Sequence, residues 1–220
     1  MGFWLKYGFL SLALVAAIPA MAQAEGKNGC GKLFPPSSKH QDKQDDYWDP
    51  APIVRKHLRL VNGRHFDPYR SLEGHTPMAI IDNLDYTLRH FPNHPQALYT
   101  VSEFGLRRGG QLPQKAGWKW HRSVECYFDR AIRFRPKDGV VRLLYGIYLH
   151  RSDKLKKALE QYEVGLKLIP KSSELNYNVG LLYYDLKKYK LANKYAAIAY
   201  KLGYPLPGLR NMLKKVGHWP

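Results

Sequence analysis

Only two cysteines, Cys30 and Cys126, occur in this chain. Acids are equally sparse: 18 Asp and Glu stand against 35 Lys and Arg, a formal net charge of +17 over 220 residues. No long apolar run follows the first two dozen residues, so nothing later in the chain reads as a membrane span. Prolines and glycines are scattered and form no low-complexity tract. The chain also lacks a His-Glu-x-x-His motif, a Gly-x-Ser-x-Gly elbow and a phosphate loop. Nine histidines are spread out. His90 and His94 are separated by Pro92, His57 and His65 straddle an expected turn, and no Cys or carboxylate spacing completes a metal site. The expectation is a protein that is not an enzyme, with no cofactor and no metal. Asp45 and Asp46 read as solvated rather than catalytic.

The N-terminus reads as a signal peptide over residues 1–24. Lys6 is a weak positive lead, Phe9 to Pro19 is an apolar stretch with Leu10, Leu12, Leu14 and Val15, and Ala22-Gln23-Ala24 fits a small-x-small cleavage rule. The expected cut follows Ala24. An uncleaved anchor is the alternative, but the stretch is short for a span. No cysteine follows in a lipoprotein context. The expected location is therefore periplasmic or secreted, which permits a disulfide, and two cysteines allow only the pairing Cys30–Cys126 within one chain. The other reading is two separate thiols, with Cys126 simply a small apolar residue. About 196 residues remain, enough for one core or one short solenoid.

Because the signal peptide contributes only Lys6, the basic excess belongs to the mature chain. Nucleic acid is the usual partner of such charge, and export argues against it. An anionic envelope surface, an acidic protein or a polyanionic glycan fits better. A solvated lysine-rich helix face is the plainer reading of Lys154, Lys156, Lys157, Lys187, Lys188, Lys190 and Lys194.

Residues 25–74 form an expected irregular arm. Gly26, Gly29, Gly31 and Pro35-Pro36-Ser37-Ser38 break periodicity. Val54, Leu58 and Val61 suggest a short helix that Asn62-Gly63 and Asp67-Pro68 end. From Thr76-Pro77 the pattern turns helical, with Ile80, Ile81, Leu84 and Leu88 on one face, and Pro95 opens a second helix. Gly109-Gly110, Pro113 and Gly117 interrupt it, and a helix is expected to resume near Trp120 and end before Pro136. Further helices are expected at 139–151, from Ser152 or Asp153 to before Pro170, from a Ser172 or Ser173 cap to Leu186, from Lys188 to Leu202, and from Gly208 to Val216.

A 34-residue echo runs through the second half. Arg142-x2-Tyr145-Gly146-x2-Leu149 returns as Asn176-x2-Val179-Gly180-x2-Tyr183, and Ala158-x3-Tyr162 returns as Ala192-x3-Ala196. Ala131, Gly165 and Ala199 repeat a small residue at the same interval, and Pro136 and Pro170 close successive units. Small residues let two helices approach, and each pair must stack on the next to bury its apolar face.

These residues resemble tetratricopeptide repeats, whose signature is Trp-x2-Leu-Gly-x2-Tyr, then Ala-x3-Phe, then Pro. Arg142 and Asn176 depart from it at the tryptophan slot. The stretched preceding unit reads Leu98-x2-Val101-Ser102-x2-Gly105. The resemblance implies an all-α fold: a short right-handed helical-hairpin solenoid over residues 75–206, with an irregular N-terminal arm and a capping helix in 207–220. Its units would be a half unit 75–92, a unit with an insertion 95–138, and regular units 139–172 and 173–206. Leu84-Asp85-Tyr86-Thr87-Leu88, Phe91-Pro92-Asn93-His94, Glu125-Cys126-Tyr127-Phe128, Tyr145-Gly146-Ile147-Tyr148-Leu149 and Gly203-Tyr204-Pro205-Leu206-Pro207-Gly208-Leu209 are further similar to a group of small exported bacterial tetratricopeptide-repeat proteins without an assigned activity.

Such a fold implies a scaffold that binds a protein or peptide of the cell envelope through the concave face of its first helices. The candidate groove residues are Tyr99, Glu103 and Leu106, then Leu143, Ile147 and His150, then Tyr177, Leu181 and Tyr184. Burial of several of these by the terminal helix or the N-terminal segment is the competing expectation. A carboxylate clamp would use Lys, Asn and Arg on these helices, and only Asn178 resembles one. Trp118, Trp120 and His121 in the insertion are a second candidate surface, or a local mini-core. The alternative function is a basic surface protein that holds an anionic envelope glycan or lipid headgroup.

Overall fold

The structure, a computed structural model, describes Cys30, residues 44–114 and residues 123–219. These residues are helical and contain no strand. The helices are α1 (Pro52–Val61), α2 (Pro77–His90), α3 (Pro95–Leu106), α4 (Val124–Phe134), α5 (Gly139–Arg151), α6 (Leu155–Leu168), α7 (Ser173–Asp185), α8 (Tyr189–Lys201) and α9 (Gly208–Lys215). None of them is long and apolar enough to cross a membrane.

Two kinds of turn alternate along the chain, and local chemistry sets both. Phe91, Arg135 and Ile169 each end a helix in an extended conformation, with φ of −128°, −136° and −133°. Each precedes a proline, whose ring disfavours helical backbone in the residue before it. Two residues further on, a side chain caps the next helix. His94 Nδ1 accepts from Ala97 N at 3.2 Å, Asp138 Oδ1 from Val140 N at 3.0 Å, and Ser172 Oγ from Leu175 N at 3.1 Å.

The second kind joins α5 to α6 and α7 to α8 in three residues, with Asp153 and Lys187 in left-handed conformation at φ 57°. This corrects the expected start of α6. Ser152 closes α5, donating its hydroxyl to Tyr148 O at 2.8 Å, and α6 begins only at Leu155. The left-handed residue leaves no room for a helix to start earlier.

The first α-helix ends at Val61, before Asn62-Gly63 as expected, but the backbone stays helical beyond it. The chain widens there into a π-helical turn, Asn62–Phe66, closed by Asp67 N donating to Asn62 O at 2.8 Å. The turn buries Phe66 and offers the Asn62 side chain to His94, whose Nε2 lies 3.0 Å from Asn62 Oδ1. His57 and His65 therefore lie along helical backbone, on α1 and the π turn, and do not straddle a turn. The His65 ring stacks on Tyr86 at 3.9 Å, and His57 meets His90 edge-on at 5.1 Å.

Asp45 and Asp46 are likewise not free in solvent. Asp45 Oδ2 sits 2.7 Å from His57 Nδ1. Asp46 pairs with Arg135 and accepts from Asn93 Nδ2 at 2.8 Å. Buried Asn93 also donates to Asp138 Oδ2 at 3.1 Å and accepts from Tyr47 N at 3.0 Å, while Trp48 Nε1 donates to Asp138 at 2.8 Å. One polar centre thus ties the arm to the first two proline turns, at Pro92 and Pro136. Cys30 and Cys126, both buried, form the expected disulfide and anchor the arm to α4.

The main core runs from Phe66 through α2 to α7 and holds Leu84, Leu98, Phe128, Tyr148, Tyr162 and Leu175. A satellite cluster of Val54, Leu58, Val61 and Phe91 seats α1. A second satellite, Ala192, Ala196, Ala199, Leu209 and Leu213 with Tyr177, seats α9 against α7 and α8.

Candidate functional site

The regular hairpins present α3, α5 and α7 side by side. Helical spacing places Ile147, His150 and Arg151 on one face of α5, and Asn178, Leu181 and Asp185 on the matching face of α7. With Met212 of α9 they line a groove of about 280 Å³. Ile147, Leu181 and Met212 are its apolar contribution.

The polar groups of the groove are largely occupied with one another. His150 Nε2 lies 2.7 Å from Asp185 Oδ2, joining α5 to α7. Arg151 pairs with Glu103 and joins α5 to α3. Hydrogen bonding to Glu103, opposed by partial burial, raises the Arg151 pKa above its ordinary value. Asn178 donates to Glu174 O at 2.8 Å, a bond within its own helix. Tyr99 stands 47% exposed on α3, and its phenol interacts with Arg151.

Of the residues expected in the groove, Ile147, His150 and Leu181 line it, and Glu103 and Tyr99 flank it through Arg151. Leu143 does not reach it: at 3% exposure it belongs to the main core one turn below Ile147. Tyr177 is also withdrawn. It is 8% exposed, stacked on Tyr204 at 3.9 Å, and bonded to the backbone of Leu209. Tyr184 turns toward Tyr189, ring centroids 5.3 Å apart, and is partly buried with the α9 cluster. Partly buried Leu106 packs against the main core. The competing expectation, that the terminal helix covers part of this face, holds for α7. Trp118, Trp120 and His121 lie outside the described residues, as does the expected cleavage site after Ala24.

Arg151, Asp185 and Met212 were missed. A signal existed for two of them. Arg151 and Asp185 are 34 residues apart and lie four residues beyond Ile147 and Leu181 on the same stripe. Following only apolar positions hides such a charged continuation. Met212 carries no signal, because its position depends on how α9 folds back.

The His150–Asp185 pair resembles the base and orienting acid of a hydrolytic site, but no Ser, Thr or Cys lines the groove to serve as a nucleophile. Among the described residues no group of three or more His, Cys, Asp or Glu could hold a metal ion. Neither a protein-family model nor a curated protein matches the chain.

Proposed function

We propose that the chain is an exported, non-enzymatic scaffold of the tetratricopeptide-repeat type, whose α3–α5–α7 face takes a protein segment of the cell envelope. The groove between α5 and α7 carries this reading. Its apolar residues are open to a side chain, while its charges are already paired across helices. A segment with one or two apolar anchors gains burial there and need not break an ion pair. A free cation or anion gains little. The 34-residue echo, the repeated proline turns and the hairpin pairing support the right-handed repeat assignment. The Cys30–Cys126 bridge and the apolar N-terminal stretch support export with cleavage after Ala24.

A displayed peptide library selected on the purified mature chain tests the groove. Selected peptides are expected to share apolar anchors and to lose binding to Leu181→Glu, which places a charge in the groove at a partly buried position, with a thermal melt to show that the packing against the α9 cluster survives. Peptides that bind Leu181→Glu as well as the parent would remove the groove from consideration. N-terminal sequencing of the exported protein tests the cleavage site.

A further inference from the structure

We propose that the turn between α7 and α8 is a second, separate binding site, for a phosphate group, walled by Lys187, Lys188 and Lys190. A shallow, open depression of about 400 Å³ lies here, lined by these lysines with Tyr189, Leu191 and His218. That volume is in the range of small-ligand sites. None of the three lysines forms an ion pair among the described residues. The nearest acid in sequence, Asp185, is held by His150 at 2.7 Å. Residues 186–220 contain seven lysines and Arg210 and no acid at all. A concave site with uncompensated cations concentrates anions.

The same turn one unit earlier provides an internal comparison. There Asp153 takes the left-handed position that Lys187 takes here, both at φ 57°. Aspartate visits this region more readily than most residues, because its short side chain bonds locally. Lysine has no such compensation. Lys154, the counterpart of Lys188, is neutralised by Glu125. Burial of Glu125 opposes its ionisation, yet the Lys154 hydrogen bond and charge hold its carboxyl below the ordinary value. The earlier turn is therefore balanced in charge, and the later one is wholly cationic. Only the later turn keeps a lysine in the backbone conformation that strains it.

Lysine is a compact point charge that suits phosphate oxygens without demanding a planar, two-pronged partner. Tyr189 packs against His218 at 5.1 Å and Tyr184 at 5.3 Å, which fixes an aromatic surface in the same depression that the lysines line. Leu191 adds a 38% exposed aliphatic side chain to it. This chemistry fits a free phosphate or the phosphate of a lipid headgroup. It is independent of the α5–α7 groove, and either site can fail without the other.

The test uses the mature chain with two probes, inorganic phosphate followed by calorimetry and phosphatidylglycerol vesicles followed by co-sedimentation, with phosphatidylcholine vesicles as the neutral control. Binding of phosphate in solution marks a free-phosphate site. Binding confined to phosphatidylglycerol marks a headgroup site. The variant K187G/K188Q/K190Q is expected to lose roughly tenfold to a hundredfold in affinity for the bound probe. Its thermal midpoint should hold or rise, because glycine accepts the left-handed backbone without strain. K156Q/K157Q, beside the balanced turn, should bind as the parent does. The proposal is overturned if neither probe binds, if the triple variant binds like the parent, if K156Q/K157Q loses as much, or if polyglutamate binds more tightly than both phosphate probes.

Discussion

The phenol oxygen of Tyr177 accepts a hydrogen bond from the backbone N–H of Leu209 at 3.2 Å. A residue on the first helix of the last hairpin is thereby committed to holding the terminal helix. Leu209 in turn fills the space over Gly180, where an added Cβ would come within 2.6 Å of its Cδ2. Helix α9 thus takes the place that a further hairpin would occupy. A stack of hairpins needs such a closure, because its last apolar face otherwise meets water.

Tyr177→Phe keeps the ring stack on Tyr204 and removes only the acceptor. It leaves the Leu209 N–H without a partner at a buried position, which should cost about 1–3 kcal/mol. Hydrogen exchange at Leu209 should rise selectively. Denaturant melts with site-resolved exchange check this, and unchanged protection at Leu209 would show that α9 is held by packing alone.

Gly146 lets α5 and α6 approach closely. A Cβ there would fall 2.2 Å from Cε1 of Tyr162, a ring enclosed on all sides. Gly146→Ala should therefore destabilise by about 1–3 kcal/mol through overpacking, despite alanine's better helix propensity. Gly165 is the contrasting position, with its nearest contact 3.2 Å away on the flexible end of Leu175. Gly165→Ala should be close to neutral or gain up to about 1 kcal/mol. The Tyr162 hydroxyl itself is buried without a hydrogen-bond partner among the described residues, and burial pushes its pKa up. Tyr162→Phe should be neutral or stabilising, since it removes a desolvated polar atom and keeps the ring. Thermal melts of the three variants check the order.

The sequence showed the periodic parts of this fold clearly and the interfacial parts poorly. Gly146, Ala158 and Ala192, and Pro136 and Pro170 were legible because each acts within one hairpin or one turn. The cap at Ser172 was legible for the same reason. The π-helical turn at Asn62-Gly63 was not, since its stability comes from burying Phe66 and from His94 more than 30 residues away. Asp46 looked solvated because its partners, Asn93 and Arg135, are distant in sequence. In the groove, the periodic stripe located Ile147 and Leu181. It misassigned Tyr177, whose environment is set by a helix that returns from residues 208–215.

His94 makes stability depend on pH. It caps α3 through Nδ1 and must donate through Nε2 to Asn62, so the fold requires the neutral ring. Burial lowers its pKa from 6.5 to about 4. The unfolded chain then binds a proton more readily than the folded one between these values. The contribution is fully present above about pH 6.5 and is lost as pH falls toward 4, up to about 3 kcal/mol. Denaturant midpoints measured from pH 7 to pH 4 should fall accordingly, and His94→Asn should flatten that part of the profile while lowering stability at pH 7. An equally steep decline in the variant would assign the pH dependence to carboxylates instead.

Two of the devices that hold the arm, the disulfide and the polar centre at Asp138, can be separated. The Cys30–Cys126 bridge spans 96 residues of sequence, so its loss should destabilise by about 2–5 kcal/mol, mainly by freeing the unfolded chain. The polar centre acts on the folded state. Trp48 Nε1 reaches Asp138 Oδ2, and the same carboxylate uses Oδ1 to cap α5. A C30S/C126S variant should therefore melt earlier, yet below its transition Trp48 should stay docked, with protection of its indole N–H from exchange unchanged. Asp138→Asn should do the reverse with the bridge intact. It weakens the caps on α5 and replaces an acceptor shared by Trp48 and Asn93 with an amide that cannot accept at both oxygens. Its indole N–H should exchange freely while the disulfide persists. If C30S/C126S released Trp48 at temperatures where the helices remain folded, the bridge rather than the Asp138 centre would be what positions the arm.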